Sequence, residues 1–579
     1  MTNDLQAAIE TSEALKVALR PPDHVARLDR MGSYFQTPIS FMRTLIRRMH
    51  RENWRFTTDR FELDADGFGR VVYMIHTPHG AFSFVAFSHD LSPEERTDRV
   101  IAERWDATFT LHDGPVDEAD LDRLEQNVPL QETGRCSAQE LVLSRANKSV
   151  RLFDYVTRTL AEGKQPDIRE LAKIGYLMRT TAVYGNGKFG MGDFANLHDA
   201  PVLNAPFQAE LLAVYMIRHF SVALIEHVAR MRAPEHAVPL AAAQRRLLGI
   251  GNATGLGMAP FLIKHPILIH KWLCARETAL ARVRGIDQAE AAKRSRFSDL
   301  LDRATAHVAE WNVEDSRQQN RIETLRTELA DLRRDLDNTP DDVLPEQRPW
   351  DNLFRRIEAR CSLEAQELTV SLLLETYAEL ICDLETEMAS NEIETTLPAM
   401  RLGELKAIIE KDYRWALDID FSSPEAQHYF WYYSEDKEEP RRGPRFEEPG
   451  AECEMRLGFG REVNGLYAEL ARLDGDGLNN LTAEFLLRRP KWRSTVRRVQ
   501  TLTRFPYGEI RNNLLGRDCL PIDLLRCKLS FFGATKFDPK SDLWTRITMY
   551  QGAPHIDELG ADDVDDWAFP VTGSSGAAP

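Results

Sequence analysis

The stretch Phe207 to Met231 (FQAELLAVYMIRHFSVALIEHVARM) constrains the fold more than any other part of the chain. It holds no proline or glycine, and apolar side chains fall on most faces of the helix it would form. Such a helix has to be covered around most of its circumference. The expectation is a helix inside a bundle. Helical spacing runs from Ala138 to about Arg284, so residues 138–290 are expected to form a helical domain. The most apolar window, Gly257 to Leu273, contains Lys264, His265, Pro266, His270 and Lys271, too short and too polar to span a bilayer. No membrane partner is expected.

The pattern before this region has period two. Val71 to His76 and Ala81 to His89 flank Thr77-Pro78-His79-Gly80, which fits a type I turn with Pro at its second position, and so a hairpin. Trp105 to His112 reads as a further strand. Residues 1–125 are therefore expected to form a small α+β domain.

After the helical domain comes a heptad seam. Phe297, Leu301, Ala304, Val308, Trp311, Asp315, Gln318, Ile322, Leu325, Leu329, Leu332 and Leu336 recur in steps of four and three, which predicts a coiled coil over 297–336. With the helical continuation it gives a coiled-coil hairpin over 297–390, whose seam pairs either within one chain or between two, the latter making a homo-oligomer. Glu364, Glu367, Glu375, Glu379, Asp383, Glu385 and Glu387 crowd the second part and read as a solvated face. Residues 400–579 read as a mixed α+β unit with an acidic tail. The expected class is thus mainly α, a helical bundle with a long coiled-coil hairpin, plus a small N-terminal α+β domain and a mixed C-terminal unit.

With 579 residues and roughly 100–200 residues per domain, three or four folding units fit this division. Ninety acidic against 73 basic residues leave a net charge of -17, which repels polyanions at long range unless cations are gathered locally. Nucleic acid is not an expected partner. The N-terminus lacks a basic segment leading into an apolar core, which points to a cytoplasmic protein. Cysteines 136, 274, 361, 382, 453, 519 and 527 form no C-x-x-C pair, and the histidines have no ligand spacing, so no metal is predicted. Organic cofactor use is left open.

Two glycine-rich segments carry the functional expectation. Gly185-Asn186-Gly187-Lys188-Phe189-Gly190 matches G-x-G-x-x-G, but the V-A-I-K, H-R-D and D-F-G elements of a protein kinase are missing, and no helix signal starts at the glycines as a dinucleotide fold requires. The second segment runs from Gly249 to Gly257. Glycines admit close backbone approach, while Arg, Lys, Asn and Thr supply donors for an oxyanion. Convergence of the two segments would make an anion pocket from Arg179, Thr180, Gly185, Asn186, Gly187, Asn252, Thr254, Gly255, Gly257 and Lys264. Lys188, Tyr184 and His265 are its candidates for proton transfer. The expected function is that of a cytosolic enzyme acting on a small anionic metabolite, a carboxylate or phosphate, by proton-transfer chemistry. The alternative is a coiled-coil assembly or regulatory protein that binds a protein or nucleic-acid partner. For that reading the basic stretch Arg488 to Arg498, with Trp492 stacking on a base, is the contact. The competing use of that stretch is internal counter-charge, docking the acidic segment Asp562 to Asp566.

Overall fold

The computed structural model describes residues 15–92, 105–129, 137–185, 203, 205–252, 265–313, 315–381, 383–388, 394–423, 431–434, 439–442, 451–453, 459–511, 520–534, 536–539, 545–561 and 564–567. The chain divides into two compact units. A sheet unit comprises Phe35–Gly255, Leu529–Lys540 and Trp544–Pro579, and a helical unit comprises Met1–Tyr34, Leu256–Lys528 and Ser541–Leu543.

The sheet unit is built on one nine-stranded sheet. Its strands are β1 (Arg55–Leu63), β2 (Gly69–Thr77), β3 (Gly80–Ser88), β4 (Ala107–Asp113), β5 (Glu140–Lys148), β6 (Tyr176–Gly185), β7 (Gly249–Asn252), β8 (Lys536–Pro539) and β9 (Thr545–Met549). The order is β1 to β7 in sequence, then β9, then β8. The β2–β3 hairpin has the register read from the sequence, with Thr77 opposite Gly80 and His76 opposite Ala81. The separate N-terminal domain does not exist as expected: the sheet continues through β5, β6 and β7 in the region predicted to be helical. β5 was hidden because Leu141, Val142 and Leu143 are all buried, and a strand covered on both faces shows no alternation.

The helices of this unit include α1 (Phe41–Arg51), α2 (Glu118–Asn127), α3 (Val150–Ala161) and α4 (Gln208–Arg232). α4 is the long apolar helix, and the sheet, not a bundle, covers it. Tyr215 meets Phe56 of β1 with ring centroids 6.4 Å apart. One turn later, Arg218 Nε donates to the carbonyl of Leu248, just before β7, at 2.6 Å. In a flat sheet β1 and β7 would stand about 29 Å apart, so the sheet curls around the helix. Phe220 packs on Phe109 of β4 and His219 on Tyr73 of β2. At Gly67, where φ is +85°, an added Cβ would lie 2.7 Å from both Leu224 and Val228. Among the described residues α4 is the one helix long and apolar enough to cross a membrane, and 78% of its most apolar window is buried inside the protein. The opposite sheet face is covered by α2, whose Leu121 and Leu124 join Val72, Val85, Phe87 and Leu143.

The helical unit contains α5 (Pro266–Arg284), α6 (Ala291–Ala309), α7 (Ser316–Asn338), α8 (Pro349–Arg360) and α9 (Leu363–Thr376). No long coiled coil is present over 297–336. The seam breaks after Ala309: Arg326 of α7 donates to the carbonyls of Val308 and Ala309 at 3.2 and 3.0 Å, and to that of Trp311. Asp315, a polar position of the seam, accepts from the backbone N–H of Gln318 at 3.0 Å and caps α7. α6 and α7 then pack on each other and on α9. Phe297, Leu301, Ala304, Val308, Ile322 and Leu325 are fully buried within the chain.

The acidic helix corrects a second expectation. Glu364, Glu367 and Glu375 are buried, not solvated. Glu367 accepts from Arg20 at 2.9 Å, from Arg30 at 3.3 Å and from Arg276. Arg20 also grips Glu277 through two hydrogen bonds of 2.8 and 2.9 Å. Burial by itself pushes the Glu367 carboxyl up, but Arg20, Arg276 and Arg30 outweigh it and hold the group at about 2.

A depressed carboxyl contributes stability that is full above its ordinary value of 4.5 and lost as pH falls toward 2. Glu367→Ala leaves three guanidinium groups around a vacated site. It should cost about 3–5 kcal/mol, read as a lower denaturant midpoint for the helical unit, and should flatten the acid limb of its stability between pH 4.5 and 2.

Candidate functional site

β6 and β7 are the parallel pair of the sheet; every other pairing in it is antiparallel. A parallel pair needs a crossover, and α4 lies in the connection between these strands and packs against both. Because the two strands run the same way, their carboxyl ends point toward the same end of the sheet. Ligands in α/β sheets bind outside the carboxyl ends of such strands. Both glycine-rich segments leave from those ends, one after Gly185 and the other after Asn252.

The register places two predicted residues side by side. Thr180 pairs with Asn252 and Arg179 with Gly251. Thr180 and Asn252 are both buried. Arg179, one position away, lies on the opposite face of the sheet from Thr180 by strand alternation and is half-buried. Tyr184 and Gly185 are the last residues of β6, opposite Leu143 and Val142 of β5. β6 runs five residues beyond Thr180, so its segment starts about 16 Å further along than the one after Asn252. Asn186, Gly187, Lys188, Thr254, Gly255, Gly257 and Lys264 lie outside the described residues. His265 precedes the first residue of α5 and belongs to the helical unit.

The opening glycines of the second segment have a packing reason. A Cβ at Gly249 would sit 2.3 Å from the carbonyl oxygen of Met549, and one at Gly251 would sit 2.8 Å from the ring of Tyr176. These two positions let β7 fit between β6 and β9.

The residue that sequence reasoning missed is Glu210, in the first turn of α4. Its Oε1 is buried with no hydrogen-bond partner, and burial pushes the carboxyl up to about 7, against a smaller opposing hydrogen bond from its own backbone N–H. A carboxyl poised near neutrality can take or give a proton at physiological pH. Its signal is visible in hindsight as the lone acid in an apolar run (PFQAELLAVYMI). Further along α4, Arg218 is fully buried and donates to the carbonyls of Leu248, Ala553 and Pro554. Burial lowers its pKa to about 10 and that of His219 to about 4. Among the described residues no group of three or more His, Cys, Asp or Glu side chains is placed to hold a metal ion.

No family model, curated protein or solved structure matches this chain.

Glu210 supplies a test of its own environment. A raised carboxyl favours the protonated form in the folded state, so the unfolded chain loses its proton first as pH rises, and stability falls between 4.5 and 7. Glu210→Gln should remove this fall and raise stability at pH 8 by about 3 kcal/mol, measured by denaturant unfolding at pH 5 and pH 8.

Proposed function

We propose that this protein is an enzyme that binds a small anionic metabolite, a carboxylate or phosphate, beyond the carboxyl ends of β6 and β7 and moves a proton on it. The observation that carries the reading is the parallel register of Thr180 with Asn252, which starts both glycine-rich segments from neighbouring strands at one end of the sheet. Arg179, Asn186 and Thr254 supply cation and hydrogen-bond donors, and Gly185, Gly187 and Gly255 admit the ligand to backbone N–H groups. Thr180 and Asn252 fix the spacing of the two strands. Lys188 and Tyr184 are the proton carriers on the first segment. The site so defined uses residues of the sheet unit alone; His265, Lys264 and Gly257, of the helical unit, are left out of it.

A ligand that binds only the folded state stabilises it, by about 2.7 kcal/mol at a concentration 100 times its Kd. Screening carboxylates, sugar phosphates and nucleotides by thermal shift should find one that raises the melting temperature by several degrees. Lys188→Ala and Arg179→Ala should each weaken that ligand at least tenfold while changing the unliganded melting temperature by less than about 2 °C. Shifts that persist unchanged in both variants would place the ligand elsewhere.

A further inference from the structure

In the helical unit, four helices between Leu402 and Thr501 share a small core of their own. It contains α10 (Leu402–Asp412), α11 (Gly460–Leu470), α12 (Thr482–Arg488) and α13 (Arg493–Thr501). Phe485 and Leu486 of α12, with Val496 and Val499 of α13, bury their side chains against Leu402, Leu405 and Ile409 of α10 and Val463, Leu466 and Leu470 of α11. The inner faces of α12 and α13 are therefore fixed, and the four residues Arg489 to Trp492 join them through a short 3-10 turn. A helix, a turn of three or four residues and a second helix make a helix-turn-helix.

The outer face carries the basic stretch, and the structure divides it. Arg498 is internal: it grips the buried carboxylate of Glu509 with hydrogen bonds of 2.7 and 2.8 Å, and Tyr413 donates to the same group at 3.0 Å. Trp492 is also turned inward, lying over α11 where an added Cβ at Gly465 would be 3.0 Å from its ring, so it fixes the turn instead of stacking on a base. Arg488, Arg489, Lys491, Arg493, Arg497 and Arg504 are exposed. Arg489 and Lys491 share Glu469 at 2.8 and 2.7 Å. The other four form no ion pair with a carboxylate among the described residues. Nor does the acidic tail neutralise the stretch through Asp565, which is held by Arg43 and Arg47 of α1 at 2.9 Å each.

We infer that α12 and α13 form a binding surface for duplex DNA, with α13 entering the major groove. Arg493 and Arg497 are four residues apart and share one face of α13, with Ser494 exposed beside them. A helix with side chains is 10–12 Å across, roughly the width of the groove of B-form DNA. Arg488, Arg489 and Lys491 flank the start of α13 and Arg504 follows its end, where the two phosphate backbones bordering the groove would lie. The exposed side chain of Leu487, at 78%, adds an apolar contact at the rim. The net charge of -17 opposes any polyanion at long range, so binding depends on these local cations and falls steeply with salt.

The test uses the full chain and a fluorescent 20-base-pair DNA duplex of mixed sequence, read by anisotropy. Binding should be measurable at about 50 mM salt and weaken by at least tenfold at about 200 mM. Arg488→Ala should reduce the salt slope by about one, whereas Arg493→Ala and Arg497→Ala should each lower affinity several-fold. Both positions are exposed, so the helical content and melting temperature should stay unchanged, and Lys164→Ala in the sheet unit should leave binding as it is. No binding at about 50 mM salt, or binding that survives the double variant, overturns the inference. So does equal or tighter binding to duplex RNA, whose deep major groove excludes a helix, or to anionic lipid vesicles.

Discussion

Three guanidinium groups converge on the single carboxylate of Glu367, and the helical unit is arranged around that contact. Arg20 and Arg30 come from a segment with little regular structure of its own, whereas Arg276 and Glu277 stand on α5 and Glu367 on α9. A second buried cluster repeats the arrangement. Arg526 bonds Glu364 and Asp523 at 3.2 and 3.1 Å, and its Nη2 donates to the carbonyls of Asp29 and Gly32 at 2.7 and 3.1 Å. Gly32 has to be glycine there, since a Cβ would lie 2.1 Å from the backbone of Arg526. The chain between residues 20 and 34 is thus ordered by charge and close approach. Hydrophobic burial alone would leave its register free, whereas each misplaced guanidinium would be an uncompensated charge away from water.

That dependence explains what the sequence displayed and what it concealed. The β2–β3 hairpin was legible because Thr77, Pro78 and Gly80 specify a turn locally and β2 and β3 keep enough alternation to read as strands. The apolar seam from Phe297 to Leu332 was legible as a buried face, yet it was read as one long coiled coil where two separate helices share it. Asp315 occupies a heptad position that an N-cap residue fills equally well, and Arg326, which satisfies the carbonyls at the break, is fifteen residues from the nearest of them. Glu364 and Glu367 looked like solvated acids because their partners, Arg20, Arg30, Arg276 and Arg526, are scattered along the chain. Periodicity reports which face is apolar and says nothing of a distant cation that makes a carboxylate fit inside. For the candidate site, the pairing of Thr180 with Asn252 was not legible, since β7 has only four residues, two of them glycine, and no alternation to read.

Buried charge is used differently in the sheet unit. Arg218 sits inside the curled sheet and fastens the carbonyls of Leu248, Ala553 and Pro554, the last of which also accepts from Tyr215 at 3.0 Å. Backbone that would otherwise end without partners next to α4 is satisfied by one fork-shaped donor set. The result closes the sheet around the helix at the start of β7. Glu210 lies two turns earlier on α4 and has no such compensation. The contrast separates a buried ion that holds structure from a buried acid that raises a functional question.

The parallel pair is the other exception within the sheet unit. From β1 to β6 each strand lies antiparallel to the one before it, whether a turn or a helix joins them. Reversing the rule once, at β6 and β7, requires a long crossover and a glycine-bearing strand narrow enough to enter between β6 and β9. Gly249 and Gly251 meet that demand through contacts that no other residue type could make. The chain accepts this topological cost in one place, and from there both glycine-rich segments depart with Arg179, Lys188, Asn186 and Thr254 upon or beside them. A crossover needed only to bury α4 could have ended in either direction. The direction it takes turns two strand ends the same way, and this is the geometry that a ligand bridging two backbone segments requires.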